Sequence, residues 1–203
     1  AVDDDFNTAV GAYALNTCQA DNNTAVGYLA LYANTTGSNN VAVGSLAGDA
    51  ITEGVNNISI GFQSLTTNTL SHNNTAIGNN ALNAHNLTSA ASGYNTAVGS
   101  NAGAAISTGT QNTLIGGLAG DALTDADQNV AIGYATLTSD TQGTGAVAIG
   151  YAALNEQNFT SATTNYNVGV GYKAGEAIST GIDNTLIGGL AGDALTDADF
   201  NVA

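Results

Sequence analysis

The sequence predicts an all-β fold, a parallel β-solenoid or β-roll of about eleven turns, most of them with a repeat length of 17. Three observations carry this expectation. A five-residue phrase, Asn-x-x-[Val/Ile]-Gly, recurs through the whole chain, its glycines keep an almost constant spacing, and apolar residues return at the same places in every unit. The phrase runs from Asn7-Thr8-Ala9-Val10-Gly11 through NTAVG at 23, NVAVG at 40, NISIG at 57, NTAIG at 74 and NTAVG at 95. It continues as NTLIG at 112, NVAIG at 129, AVAIG at 146, NVGVG at 167 and NTLIG at 184, and a last copy starts at Asn201. Its glycines are 11, 27, 44, 61, 78, 99, 116, 133, 150, 171 and 188, spaced by 17 apart from one 16 and two 21s. A short fixed period of this kind marks a solenoid, whose units bury their apolar faces only by stacking on one another. The period fills 1–203, so a single repeat domain is expected and an enzyme is not.

Each phrase position has a physical task. The opening Asn, present in eleven of twelve copies, predicts a ladder of side-chain amides along the axis. The second residue is β-branched in all twelve copies, and the fourth is Val or Ile in all eleven complete ones. β-Branched residues at alternate positions read as a strand, with these two on one face and the small third residue on the other. That small residue is expected to let another backbone approach, and so to suit association of several chains. The Gly ends the strand in a bend.

Three places after the Gly comes a small residue: Ala14, Ala30, Ala47, Ser64, Ala81, Ala102, Ala119, Thr136, Ala153, Ala174 or Ala191. The next position is Leu (15, 31, 65, 82, 137, 154) or Gly (48, 103, 120, 175, 192). In the Gly form an Ile or Leu follows three places on, at Ile51, Ile106, Leu123, Ile178 or Leu195. These are two ways of supplying one core side chain, expected on a short second strand. A polar Asn/Thr/Gly return completes the turn.

A longer, four-turn period overlies the short one, because Gly27, Gly99 and Gly171 are 72 apart, as are Gly44, Gly116 and Gly188. It comprises three turns of 17 and one of 21. The long turns carry matching insertions, NAHNLTSAASGY at 83–94 and NEQNFTSATTNY at 155–166. Insertions in a solenoid gather on one face, often the binding face.

Composition narrows the function. One base, Lys173, stands against 16 acids, giving a net charge of −15. Such a chain cannot neutralise phosphates, which argues against nucleic acid and anionic membrane surfaces as partners. One Lys and no Arg leave trypsin-like proteases almost nothing to cut, which suits an extracellular location. The lone Cys18 allows no internal disulfide and is expected to be a buried structural thiol. There is no apolar run long enough for a membrane span and no visible signal peptide. The chain starts and stops within its pattern, so it is expected to be a segment of a longer fibre. At ~4.8 Å per turn the rod would be roughly 50 Å long. Bare sheet edges at its ends would favour end-to-end stacking.

The phrase followed by x-x-Ala resembles the head repeats of trimeric autotransporter adhesins of the YadA-like type, most closely at Val130-Ala131-Ile132-Gly133 and Val147-Ala148-Ile149-Gly150. The NTAVGYxAL form, Asn23 to Leu31, is similar to repeats of phage tail fibres and long bacterial surface proteins. The resemblance spans nearly the whole chain. It implies a left-handed roll and three packed chains. The turns here are longer than the usual adhesin repeat, and no neck, coiled coil or anchor is present. A trimer of such chains would gather a charge of about −45, which repels itself.

Candidate sites are few. Asp121, Asp125 and Asp127, repeated as Asp193, Asp197 and Asp199, form acidic turns whose carboxylates suit calcium; Asp3-Asp4-Asp5-Phe6-Asn7 has a similar ending. His72 and His85 stand apart from Cys or a carboxylate triad and are expected in exposed loops, which argues against zinc. Tyr28, Tyr134, Tyr151 and Tyr172 follow phrase glycines and are expected to pack between turns or chains, or to stack on carbohydrate. Sequons occur at Asn22, Asn34, Asn57, Asn73, Asn86 and Asn158; Asn86 and Asn158 sit at equivalent points of the insertions and are the candidate glycosylation sites. No nucleophile–base pair or phosphate loop is present. The expected function is a non-enzymatic, self-associating rod of an extracellular fibre or surface adhesin. The alternative is a receptor- or glycan-binding head or phage-fibre module that uses the insertions. An ice-binding face is disfavoured because no Thr-x-Thr run lines it.

Overall fold

The computed structural model describes residues 6–203. Asp3, Asp4 and Asp5 lie outside them. Among the described residues there are thirteen short strands. They are β1 (Thr8–Val10), β2 (Thr24–Val26), β3 (Val41–Val43), β4 (Ile58–Ile60), β5 (Thr75–Ile77), β6 (Thr96–Val98), β7 (Thr113–Ile115), β8 (Val130–Ile132), β9 (Gly143–Thr144), β10 (Val147–Ile149), β11 (Thr163–Thr164), β12 (Val168–Val170) and β13 (Thr185–Ile187). The phrase strands form one 11-stranded parallel sheet in chain order, and β9 pairs with β11 separately. The register is the sequence period itself: Thr96 pairs with Thr113, which pairs with Val130, which pairs with Val147. The chain is therefore a parallel β-solenoid of about eleven turns. Among the described residues no helix is long and apolar enough to cross a membrane.

The strand faces are the reverse of the expected sense. The third phrase residue points inward: Ala25, Ala42, Ala76, Ala97, Leu114, Ala131, Ala148 and Leu186 are fully buried. The Val, Ile and Thr on either side face outward and are half-buried or exposed. The small residues thus make room inside the roll, not for a neighbouring chain. The roll is narrow, and the facing leg already fills it with Leu31, Ile51, Leu65, Leu82, Ile106, Leu123, Leu137, Leu154 and Ile178, all fully buried.

That facing leg is not a second strand. The residues two and four places after each phrase glycine have left-handed backbones, such as Leu29 (φ 58°) and Leu31 (φ 49°). Such angles break an extended strand. The leg still stacks through its backbone, as when Leu29 N–H donates to Ala12 O (3.0 Å) and Leu31 N–H to Ala47 O (3.1 Å). The left-handed requirement explains the Leu/Gly choice. Gly120 (φ 57°) takes the angle without strain, and Leu123 fills the core instead; a Cβ on Gly120 would lie 2.7 Å from Leu123 Cδ1. Leu114, an enlarged third-position residue, occupies the same space, with its Cδ2 2.9 Å from that Cβ. Two sites trade volume, so the core stays filled.

The apolar column is divided once. At β4 the inward residues are Ser59 and Ser64, whose hydroxyls lie 2.7 Å apart. One apolar cluster, Ala25 to Ile51, lies before them and a longer one, Leu65 to Leu186, after them.

Candidate functional site

The opening asparagines hold the corner where the polar return meets the sheet. In one turn after another the Asn is buried, its Oδ1 accepts the backbone N–H of the next phrase, and its Nδ2 donates to a carbonyl of the polar return that precedes that phrase. Asn112 shows the pattern: its Oδ1 takes Asn129 N–H (3.0 Å) and its Nδ2 reaches Ala126 O (2.8 Å). Amide-to-amide bonds, as between Asn112 Nδ2 and Asn95 Oδ1 (3.1 Å), supplement these. The ladder expected from the sequence is present, but its main bonds go to backbone.

The two long turns contain buried polar clusters that the sequence reading missed. His85, expected in an exposed loop, is fully buried, with Nε2 3.0 Å from Ser71 Oγ and no partner at Nδ1. Burial lowers its pKa to about 4, so it is neutral. His72 is half-buried, and its Nδ1 accepts Val55 N–H (3.0 Å). One four-turn period on from His85 stands Gln157, whose Nε2 donates to the buried Asp140 (Oδ2, 2.6 Å). Asp140 Oδ1 also accepts Gly143 N–H and Phe159 N–H, both at 3.0 Å. Burial raises the Asp140 carboxyl above its ordinary range, against the lowering effect of these donors. In the same turn Ala146 replaces the phrase Asn, and Asn165 supplies the missing oxygen, its Oδ1 accepting Asn167 N–H (3.0 Å). The first long turn has Gly93 where the second has Asn165. A Cβ on Gly93 would lie 2.3 Å from Asn74 Oδ1, so the ladder Asn and a side chain at the later site exclude each other.

The insertions therefore belong partly to the core. Their outer tips, 88–90 and 160–162, are exposed. β9 and β11 anchor the second, and a bridge between His72 and Ser92 anchors the first. Asn158 is exposed, whereas Asn86 is half-buried and its Oδ1 accepts the Thr69 hydroxyl (2.8 Å).

The acidic turns are used along the axis. Asp125 accepts the hydroxyls of Ser107 (2.9 Å) and Thr108 (2.8 Å), and Asp127 accepts Thr110 N–H (2.7 Å) and Oγ1 (2.9 Å). Asp199 accepts Ile182 N–H (2.8 Å), and Asp197 accepts the Thr196 hydroxyl (3.1 Å). Asp121 Oδ1 is buried without a partner, and burial raises that carboxyl. Asp193 occupies the equivalent position in the next four-turn copy. Among the described residues no three His, Cys, Asp or Glu side chains converge as a metal-holding group. Cys18 is half-buried, its thiol 3.2 Å from Ala20 O and 3.3 Å from Asn34 Oδ1.

Two surface features remain. The outward sheet face carries Thr/Val/Ile at both outward positions of every strand from β1 to β13, apart from the short β9 and β11, and no charged residue. Its two rows stand about 6.6 Å apart along each strand and repeat every ~4.8 Å along the axis. Beside it run the aromatic residues that follow phrase glycines. Tyr134, Tyr151 and Tyr172 stack face to face at centroid distances of 5.8 and 5.4 Å. Near the other end, Tyr13, Tyr28, Leu29, Tyr32 and Asp49 line an open cavity of about 400 Å³. The Tyr13 and Tyr28 rings are 6.4 Å apart at 75°. Burial raises the Asp49 carboxyl above its ordinary range, opposed by hydrogen bonds from the Thr66 hydroxyl and the backbone.

Set against known protein families, curated proteins and solved structures, the chain matches none.

Proposed function

We propose that the chain is a non-enzymatic structural rod of an extracellular fibre or surface adhesin, and that copies of it associate side by side through the outward face of the 11-stranded sheet. The observation that carries this reading is the uninterrupted, uncharged, β-branched surface of that sheet. Val10, Ile58, Ile115 and Ile187 are among its exposed apolar side chains. A long apolar stripe on an otherwise polar protein marks an interaction surface. A partner that meshes along its whole length needs the same axial repeat, and another copy supplies it. No acid occupies an outward position of these strands, so association does not press carboxylates together there. Stiffness comes from the backbone ladder, the Asn corner bonds and the packed Leu/Ile column, and the near absence of Lys and Arg adds resistance to trypsin-like cleavage.

The resemblance to trimeric adhesin heads favours three copies. Ile60→Asp with Val98→Asp places two carboxylates per chain on the face, with no fully buried side chain altered. Light scattering should then give a lower mass than for the parent, with the same circular-dichroism spectrum below the melting transition. An unchanged mass in the double variant would refute the face as the interface.

A second reading, a head that binds receptor or glycan through its insertions, is favoured by the exposed tips at 88–90 and 160–162, which share the sequence Thr-Ser-Ala. Replacing both tips by glycine spares His85 and Gln157. Loss of glycan-array binding in that variant would support this reading.

A further inference from the structure

The cavity beside Tyr28 is a local departure from the repeat, and the repeat itself indicates what it holds. Counting along the four-turn period, Tyr28, Leu29, Tyr32 and Asp49 correspond to Ser100, Asn101, Ala104 and Asp121, and then to Tyr172, Lys173, Glu176 and Asp193. In the third copy the chain sets its own cation beside the equivalent tyrosine. The Lys173 ammonium lies 5.9 Å from the centre of the Tyr172 ring and 2.8 Å from Glu176 Oε1. In the first copy the tyrosine is kept but Leu29 replaces the lysine. Two further rings, Tyr13 and Tyr32, and the carboxylate of Asp49 surround the space, which has a volume of about 400 Å³.

We propose that the Tyr13–Tyr28–Tyr32–Asp49 cavity binds an organic ammonium group presented by a ligand, in the way the Lys173 ammonium is held against Tyr172 and Glu176. The chemistry fits on three counts. Tyrosine faces attract cations through the ring quadrupole, and more strongly where water is partly excluded. Asp49, which lines the cavity, supplies the counter-charge that a neutral sugar does not need. The chain's net charge of −15 draws cations and repels anions. Rings at 75° to one another give walls in two directions, which suits a rounded methylated or alkyl ammonium; stacking on a flat sugar needs a single platform.

The test uses the full chain and choline as probe, followed by titration calorimetry at constant ionic strength. Its neutral carbon isostere, 3,3-dimethylbutan-1-ol, and glucose serve as comparisons. Saturable choline binding is expected, with the isostere about tenfold weaker and glucose inert. Tyr28→Leu and Asp49→Asn should each weaken choline several-fold, whereas Tyr172→Leu should leave it unchanged. Tyr28 is half-exposed, so Tyr28→Leu should keep the parent melting temperature, and Asp49→Asn provides a second reading of the same site. Equal binding of choline and its isostere would overturn the proposal. So would choline binding indifferent to both variants, glucose binding in place of choline, or no saturable choline binding into the millimolar range.

Discussion

Ala146 and Asn165 form a linked pair whose exchange tests the account of the corner bonds. Elsewhere the phrase Asn gives its Oδ1 to the next phrase, and in the first long turn Asn74 does so to Asn95 N–H at 3.2 Å. In the second long turn Asn165 gives it instead, to Asn167 N–H at 3.0 Å. Asn165→Gly alone removes that acceptor and leaves a buried N–H unpaired, a cost of about 1–3 kcal/mol. Ala146→Asn alone forces a second amide into the same space. The 2.3 Å approach of a Cβ on Gly93 to Asn74 Oδ1 shows that the two do not fit together, and overpacking costs about 1–3 kcal/mol. The double variant recreates the arrangement of the first long turn and should lie within about 1 kcal/mol of the parent. The singles sum to about 2–6 kcal/mol, so the coupling should be stabilising by a similar amount. Urea unfolding of the four proteins, with hydrogen exchange at Asn167 as a local probe, measures it. Additive effects, or a double variant worse than either single, would contradict the reasoning.

Acid should weaken the fold through His85. Its folded pKa, about 4, lies below the ordinary 6.5, so the unfolded chain takes up a proton that the folded chain refuses. Stability should fall by about 3 kcal/mol between pH 6.5 and pH 4 and level off below, a loss that His85→Gln removes in matched urea titrations. Asp140 acts in the opposite sense: its raised carboxyl is protonated first in the folded state, so its own contribution to stability should rise as pH falls, a slope that Asp140→Asn removes in the same titrations. Gly116→Ala should cost about 3 kcal/mol or more, since φ is 135° and the new Cβ would lie 2.3 Å from Gly133 O. Gly117→Ala makes only ordinary contacts, with the Tyr134 ring at 3.5 Å and Ser100 O at 3.9 Å, and should stay within about 0.5 kcal/mol by thermal melting. Asn112→Ala leaves Asn129 N–H and Ala126 C=O without partners and should cost about 2–6 kcal/mol in the same assay.

Much of the fold could be read from the chain because each turn repeats the same local demands. The phrase spacing set the strand register, and the Leu-or-Gly alternation revealed a single core site filled in two ways, as Leu31 and Ile51 show. The sense of the strand faces was not legible. Alternation separates Thr96 and Val98 from Ala97 but does not say which side is inside, and β-branched residues usually are. Only the narrowness of the roll, filled from the facing leg by Leu82 and Ile106, sends Ala97 inward. The facing leg read as a strand because its spacing is regular; its positive φ angles are signalled only by the Gly that alternates with Leu at the Leu31 position, and the side chains at the Leu29 position give no sign of them. His85 sat in a polar stretch and read as exposed. The available signal was the four-turn match of His85 with Gln157 and of Asn68 with Asp140, polar pairs whose members change together. The tyrosine cavity was hidden because Tyr13, Tyr32 and Asp49 come from three turns, and Tyr13 and Tyr32 have no tyrosine counterpart in other turns.

The central claim is that the uncharged sheet face joins copies of this rod. Light-scattering mass of the intact chain, followed through dilution, tests it most directly. The account predicts a discrete multiple of 20.0 kDa that persists in high salt, because an apolar contact is not screened. A particle of 20.0 kDa at every concentration would contradict it.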